Sequence, residues 1–315
     1  MLDTRSGGYF HLLRFPLIFT VWSDVLTGCF IVQAQGGQVL NGGDIATMLA
    51  IAAGLATGGM TLYDCFEYES DKEHGKARTL PIGVISAHAG FAVAFIMILC
   101  SVAGAILVSF WAGLLSVLVA LFLVVYASAM RGMPYLGATS LALSRGLNII
   151  LGMAFAYRTG PPVVRFEYWA PVVAVFGYVL LVTLVVSEEA HARRGRLFRL
   201  TGALILILVL LHVFLYVSPL SHASLFLRLS VSLFVAGVIA RFLQLARRCV
   251  HELSAESVEK LVVAALVATI VLNANFVAFT GDAGDTFGVL FLLLPTFIMF
   301  RFFHRLFQGT RTAID

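Results

Sequence analysis

Three carboxylates at the end of a long apolar stretch have the spacing to act together. Asp64, Glu67 and Asp71 follow one another at intervals of three and four residues. On a helix these intervals place side chains on one face, so we predict a compact acidic cluster at the end of an otherwise apolar helix. The chain then enters a basic loop, residues 71–81, which reads Asp-Lys-Glu-His-Gly-Lys-Ala-Arg-Thr-Leu-Pro. We expect the chemistry of the protein at this junction.

A second loop has the same order of charges. Residues 187–196 read Ser-Glu-Glu-Ala-His-Ala-Arg-Arg-Gly-Arg, so acids at a helix end are again followed by cations. Two such loops on one side of a membrane could close over a single anionic ligand held between them by a metal ion. For the second loop, the alternative is the ordinary solvated end of a membrane helix. The first loop is the more specific of the two, because its acids are spaced to converge.

The composition is that of an integral membrane protein. Hydrophobic residues make up 60% of the chain, charged residues make up 12%, and the mean hydropathy is +0.96. These values are far from those of a soluble globular domain. The apolar runs are continuous, whereas the strands of a closed barrel would alternate in polarity. We therefore predict an all-α, polytopic membrane bundle of nine or ten transmembrane helices. The apolar runs are residues 12–32, 45–66, 90–108, 110–130, 137–157, 168–186, 200–217, 225–245, 262–279 and 287–303.

The distribution of basic residues predicts that both termini are cytoplasmic. In that orientation the outer loops keep only Arg158 and Arg165, and the acidic cluster faces the cytoplasm at the inner (plasma) membrane of the cell. The first apolar run is too long for a signal-peptide core and lacks a small-residue cleavage site, so we expect it to remain as the first span. The predicted inner-loop cations are Lys72, Lys76, Arg78, Arg131, Arg193, Arg194, Arg196, Arg241, Arg247, Arg248 and Lys260.

The remaining features bear on domain organisation and partners. We expect a single transmembrane domain over residues 1–315, with motif loops near residues 64–86 and 187–199. The 4 cysteines have no paired spacing, which argues against a disulfide framework or a zinc site. The net charge of +4 reflects basic inner loops, so no nucleic-acid partner is expected. Basic loops at a membrane more often meet lipid headgroups or phosphates.

Residues 63–72 read Tyr-Asp-Cys-Phe-Glu-Tyr-Glu-Ser-Asp-Lys, and residues 78–86 read Arg-Thr-Leu-Pro-Ile-Gly-Val-Ile-Ser. They resemble the first aspartate-rich motif of the UbiA superfamily of intramembrane prenyltransferases, in which an Asn and two acids at four-residue intervals precede a basic loop and a Leu-Pro-x-Gly turn. The resemblance extends along most of the chain. The segment 144–148 (Ser-Arg-Gly-Leu-Asn) and a Ser-x-Glu second motif are more like the EboC-type branch. Similar segments also include Arg14 to Pro16 with Thr20, Asp24 and Gly28, and residues 134–137, 183–189, 271–274 and 292–295.

The resemblance implies Mg²⁺-dependent transfer of an isoprenyl group from a prenyl diphosphate to a small cyclic or aromatic acceptor. It implies a central cavity open to the cytoplasmic side, with the isoprenoid tail in contact with membrane lipids. The implied metal ligands are Glu67 and Asp71, with Asp64 and Glu188. The implied diphosphate-binding and pocket residues are Lys72, Arg78, Arg194, Arg14, Arg145, Asn148 and Asp24.

The two motifs depart from the family pattern at defined positions. Tyr63 stands where the family has Asn, and Glu67 stands where it has the first Asp. Ser187 and His191 occupy positions that align with the aspartates of the second motif, and this displaces the acids between them. One Mg²⁺ ion could still be held by Glu67 and Asp71 with substrate phosphates and water. His191, an imidazole that titrates near neutrality, is a candidate base for the acceptor's proton; the alternative is a bystander.

Three polar residues are predicted to lie deep in the membrane. Arg145 falls about two turns inside the fifth apolar run, Asn148 lies one turn further on the same face, and Asp24 of the first run is a candidate counter-ion. Charges at that depth cost about 3 kcal/mol or more, so we expect a position inside the bundle. A pair of Arg145 with Asp24 could simply fix helix packing. Alternatively, these residues could line a pocket for the acceptor's head group or the diphosphate. Asn273 and Asn275 are predicted simply to bridge helices, and the glycines of 54–59 and 146–152 to let helices approach closely.

Other classes of protein stay open on this sequence. A non-catalytic descendant that binds or presents an isoprenoid would explain the altered second motif. A transporter would explain the many spans and the intramembrane charges, although no repeated pair of Gly/Pro-broken spans is present. A CDP-alcohol phosphotransferase would also place metal-binding carboxylates at a helix end, but its Asp-Gly-x-x-Ala-Arg signature does not occur in the chain.

Overall fold

Ten α-helices make up the part of the chain that the structure describes. This computed structural model describes residues 15–73, 85–130, 132–157, 166–187, 194–217, 221–251 and 255–299, and no strand occurs within those ranges. The predicted all-α membrane bundle is confirmed. The helices are α1 (Phe15–Ala34), α2 (Gly42–Glu73), α3 (Ala87–Val108), α4 (Phe110–Ala129), α5 (Pro134–Tyr157), α6 (Phe166–Ser187), α7 (Arg194–Val217), α8 (Leu225–His251), α9 (Ala255–Phe279) and α10 (Ala283–Phe291).

Seven of these helices are long and apolar enough to cross a membrane by length and composition: α1 to α5, α8 and α9. The other three, α6, α7 and α10, carry shorter apolar stretches. Within the described ranges, each of the ten predicted apolar runs lies mainly on a helix. In a bilayer an apolar run can satisfy its backbone polar groups only by pairing them within a helix.

Helix α2 continues further than the sequence suggested. The predicted loop began at Asp71, whereas the helix runs on to Glu73. The sequence has no helix-breaking residue at positions 71–73, and the first residue in this stretch that favours the end of a helix is Gly75. The three acids therefore lie within one regular helix, and its geometry fixes their relative positions.

The last predicted span is interrupted. α10 ends at Phe291, Leu292 forms a turn, and helical structure resumes over residues 293–299. Pro295 explains the interruption, because proline has no N–H to donate to the carbonyl one turn earlier, that of Phe291. The N–H of Leu292 instead donates to the Val289 carbonyl at 3.1 Å, a tighter turn than that of an α-helix.

Helix α1 is the element that positions the interior polar residues. It packs against α2, α5 and α9. Two glycines allow its close approach to α5: a Cβ built on Gly28 would lie 1.9 Å from the carbonyl oxygen of Ile149, and one on Gly152 would lie 1.9 Å from that of Val25. The prediction that the 146–152 glycines permit close helix approach is confirmed at Gly152.

Candidate active site

The three acids of α2 occupy different environments although they share a helix face. Asp71 is fully buried, Asp64 is 8% exposed, and Glu67 is partly exposed. Asp64 and Asp71 are two helical turns apart, about 10 Å along the axis, and Glu67 lies between them about one turn from each. Buried carboxylates are uncommon in membrane helices, so this end of α2 stays the candidate active site.

The donor set suits one kind of metal binding. Within the described ranges, no three His, Cys, Asp or Glu side chains lie close enough together to hold a metal ion by themselves. Carboxylates one helical turn apart, such as Glu67 and Asp71, supply the hard oxygen ligands that Mg²⁺ prefers. The residues therefore fit Mg²⁺ in the mode in which substrate phosphates and water complete the coordination shell.

The aromatic residues beside the acids have packing roles. Tyr63, which stands where the family has Asn, stacks on Tyr126 of α4 with ring centroids 5.2 Å apart and an interplanar angle of 19°. The exposed ammonium of Lys72 lies 5.9 Å from the ring centroid of Tyr68 on its own helix. Lys72 is thus a cation on the surface beside the acids, where it is accessible to an anionic ligand.

Arg145 and Asp24 form an ion pair inside the bundle. Nε of Arg145 lies 2.5 Å from Oδ2 of Asp24, and the two side chains are 9% and 0% exposed. The guanidinium also donates through Nη1 to the hydroxyl of Thr20 at 2.9 Å and through Nη2 to the Thr20 carbonyl at 2.8 Å. The predicted pairing of Arg145 with Asp24 is confirmed, and it joins α5 to α1.

Asn273 of α9 completes this group. Its Nδ2 donates to Oδ1 of Asp24 at 2.7 Å and to the hydroxyl of Ser23 at 2.8 Å. The prediction that Asn273 bridges helices is confirmed, but its partner is the counter-ion of Arg145, which spacing alone did not indicate. We call Thr20, Ser23, Asp24, Arg145 and Asn273 the interior polar cluster.

Asn148 lies beside the interior polar cluster on α5. It is 4% exposed and follows Arg145 by three residues, so both side chains lie toward the same part of the helix surface about one turn apart. Among the described residues, Oδ1 of Asn148 accepts no hydrogen bond. A buried carbonyl oxygen of this kind is unusual in native proteins and points to a further partner.

Several predicted site residues are not placed by the structure. Arg14, Arg78, Glu188 and His191 lie outside the described residues. Arg194 begins α7, but its side chain is not among those described. Their assigned roles in binding metal or diphosphate, and the role of His191 as a base, stay predictions.

The sequence did not predict a second group of polar side chains, centred on His212. The ring of His212 on α7 lies between two partners: its Nδ1 is 3.1 Å from Oδ1 of Asn275 on α9, and its Nε2 is 2.8 Å from the hydroxyl of Ser232 on α8. The available signal was a histidine in the apolar run 200–217. The prediction that Asn275 bridges helices is confirmed. The 4 cysteines are free, as their spacing predicted.

Comparison with known proteins places this bundle among prenyltransferases. The chain matches the model of the UbiA prenyltransferase family over residues 21–261. A curated relative, digeranylgeranylglyceryl phosphate synthase of Saccharolobus solfataricus, is 26% identical over 145 residues, which cover 46% of this chain and 50% of the relative. The chain therefore spans about half the length of the curated relative that it matches.

Solved structures share the fold. A UbiA homologue from Aeropyrum pernix in its apo form superposes with a TM-score of 0.60 at 16% identity, covering 82% of this chain and 96% of the homologue. A UbiA homologue from Archaeoglobus fulgidus bound to GPP and Mg²⁺ gives a TM-score of 0.52 at 15% identity, covering 90% of this chain and 99% of the homologue. A digeranylgeranylglyceryl phosphate synthase structure gives a TM-score of 0.54 at 15% identity, covering 88% of this chain and 98% of the synthase chain. At these identities the likeness is one of fold.

Proposed function

Because the chain belongs to the UbiA prenyltransferase family, we propose that it transfers an isoprenyl group from a prenyl diphosphate to a small acceptor within the membrane. The observation that carries this proposal is the pair of buried carboxylates, Asp64 and Asp71, on one face at the end of α2. The homologue from Archaeoglobus fulgidus that shares the fold binds GPP and Mg²⁺, which supports a prenyl diphosphate as the donor.

In this proposal Glu67 and Asp71, one turn apart, would hold Mg²⁺ together with substrate phosphates and water, and Asp64 lies on the preceding turn. When bound, the ion would stabilise the negative charge that develops on the pyrophosphate leaving group. Lys72 stabilises the same charge from the helix surface, and Arg78 and Arg194 are proposed to do so from the two loops. We place this end of the bundle on the cytoplasmic side, following the distribution of basic residues.

The acceptor is proposed to lie deeper than the diphosphate, beside the interior polar cluster. A cyclic or aromatic acceptor fits the resemblance to the EboC-type branch, whereas the name of the Saccharolobus relative suggests a glycerophosphate acceptor. Either acceptor needs a group that takes up its proton, and His191 is the proposed base. Side chains of the surrounding spans would keep water from the allylic cation until the acceptor attacks.

Turnover by the purified full-length protein tests the proposal. Radiolabelled geranyl and geranylgeranyl diphosphates are supplied with a panel of aromatic and glycerophosphate acceptors, and labelled product and pyrophosphate are measured. We expect both to form only with Mg²⁺ and to stop when a chelator is added. Asp71→Asn removes a buried metal ligand and should lower kcat/KM by about a hundredfold or more.

Glu69→Gln is the matched control, because Glu69 lies two residues away on α2 with its side chain exposed. It removes the same charge and should keep turnover within about twofold, as expected for a surface substitution. Activity that survives in Asp71→Asn, or that does not need Mg²⁺, would refute this site. Binding of the prenyl diphosphate without turnover on any acceptor would favour the non-catalytic alternative.

A further inference from the structure

The interior polar cluster retains hydrogen-bonding capacity after its internal contacts are counted. A guanidinium has five N–H donors, and three contacts of Arg145 involve Asp24 and Thr20. The amide nitrogen of Asn273 has two hydrogens, and both are committed to Asp24 and Ser23. Oδ1 of Asn273 has no hydrogen-bond partner among the described residues. The orientation of this amide is fixed, because its nitrogen must face the Asp24 carboxylate.

Two buried carbonyl oxygens are therefore left for an outside donor: Oδ1 of Asn273 and Oδ1 of Asn148. The two residues are 0% and 4% exposed, so bulk water does not serve them. Leaving a buried acceptor unsatisfied is unfavourable, and native proteins seldom do so. A ligand that brings a hydrogen-bond donor to this depth would satisfy what the protein leaves open.

The charge of that ligand follows from the ion pair. The positive charge of Arg145 is already matched by the carboxylate of Asp24 at 2.5 Å. Two amide oxygens and the remaining guanidinium N–H groups stay open beside the pair. A hydroxyl can donate to an amide oxygen and accept from an N–H, whereas a carboxylate has no proton to donate and is repelled by the amide oxygens. A carboxylate or phosphate at this point would also lie near the Asp24 charge at low dielectric, where the repulsion is strong.

We infer that Asn148 and Asn273 receive an uncharged hydroxyl, alcoholic or phenolic, of the prenyl acceptor, and that they select it over an acidic group at the same position. This inference rests on the proposed function and narrows its acceptor to a molecule that presents a neutral hydroxyl to the middle of the bundle. Any anionic part of the acceptor must then lie away from the interior polar cluster. Asn148 and Asn273 are thus specificity-determining residues for the transfer.

Equilibrium binding of three matched probes to the full-length protein in lipid nanodiscs tests the inference. The probes are hexadecyl glycerol ether, its dimethyl ether with both hydroxyls capped, and hexadecyloxyacetic acid. Wild-type protein should bind the free glycerol ether about tenfold more tightly than the capped ether, since capping removes the donors, and more tightly than the acid. Equal binding of the free and capped ethers, or tighter binding of the acid, would overturn it.

Variants locate the preference in the cluster. In Asn148→Leu and in Asn273→Leu, the dissociation constants of the free and the capped glycerol ether should become nearly equal. Asn275→Leu is the control, because Asn275 is also a buried asparagine of α9 but contacts His212 instead. It should keep the wild-type ratio. A preference that persists in both cluster variants would also overturn the inference, and the wild-type comparison stands by itself if a variant does not fold.

The binding experiment omits Mg²⁺ and prenyl diphosphate, so it is independent of turnover. If the Asp71→Asn experiment refutes the proposed prenyl transfer, the ratios of probe affinities measured on the wild-type protein still stand. Conversely, an active prenyltransferase whose free and capped probes bind equally would refute the hydroxyl preference alone. In that case Oδ1 of Asn148 and Oδ1 of Asn273 bind water and not the acceptor.

Discussion

Asp24 and Asn273 are 249 residues apart in the sequence, and Oδ1 of Asp24 lies 2.7 Å from Nδ2 of Asn273. This contact connects α1 to α9, and the ion pair of Asp24 with Arg145 connects α1 to α5. A single carboxylate thus fixes the mutual positions of three helices. Because the cluster is buried in a protein that spans a membrane, its hydrogen bonds cannot be replaced readily by water.

Breaking the ion pair on one side should destabilise the fold more than removing it completely. Asp24→Leu leaves the Arg145 guanidinium buried without its counter-ion, and Arg145→Met does the same to the Asp24 carboxylate. We therefore expect each variant to lower the unfolding free energy by about 3–5 kcal/mol. The double variant should be more stable than either single variant. Thermal unfolding in detergent measures all four proteins of this double-mutant cycle. Additive losses would show that the two side chains do not depend on each other.

The close approach of α1 and α5 should be sensitive to a single methyl group. In Gly152→Ala the new Cβ would lie 1.9 Å from the Val25 carbonyl oxygen, so the helices must separate. We expect a loss of about 1–3 kcal/mol or more in unfolding free energy. Gly177→Ala on α6 is the control, because nothing lies within 4 Å of a Cβ there. It should be neutral or stabilising by up to about 1 kcal/mol. Equal effects would contradict the close approach.

Lys72 should contribute to diphosphate binding in a salt-dependent way. Its ammonium is exposed beside the α2 acids, so Lys72→Met should raise the KM for prenyl diphosphate by about two- to fivefold at low salt. The difference should shrink as ionic strength rises, because exposed charges are screened. Steady-state kinetics at two salt concentrations provide the measurement.

Arg241→Met serves as the control for Lys72. Arg241 is an exposed cation of α8 that contacts Gln244 at 2.7 Å, and it has no assigned part in the site. The KM should therefore stay at the wild-type value in this variant. An equal rise in both variants would indicate a general effect of surface charge on the anionic substrate.

The His212 contacts should matter for stability and not for the acidic site. His212→Leu removes the partner of Asn275, whose side chain is only 3% exposed, and should lower the unfolding free energy by about 1–3 kcal/mol. His222→Leu changes an exposed histidine and should be close to neutral. Thermal unfolding compares the two. A KM for prenyl diphosphate that changed strongly in His212→Leu would contradict a purely structural role.

Much of the fold was predictable because it depends on local physics. A run of about 20 apolar residues can satisfy its backbone in a bilayer only as a helix, so the apolar runs located the helices. Their ends were less predictable, as α2 and α10 show. Glu73 still belongs to α2 because neither Lys72 nor Glu73 favours a helix end. Pro295 interrupts an apolar run that is continuous in hydropathy.

By itself the sequence determined the shared face of Asp64, Glu67 and Asp71, since helical periodicity requires only neighbours along the chain. It also made the pairing of Arg145 with Asp24 predictable, because an intramembrane charge needs an opposite one. Only the tertiary structure decided that Asp71 is fully buried, that Asn273 holds the counter-ion and that His212 joins three helices. These relationships depend on which helices pack together and at what rotation, and contacts between residues far apart in the chain leave no periodic signal.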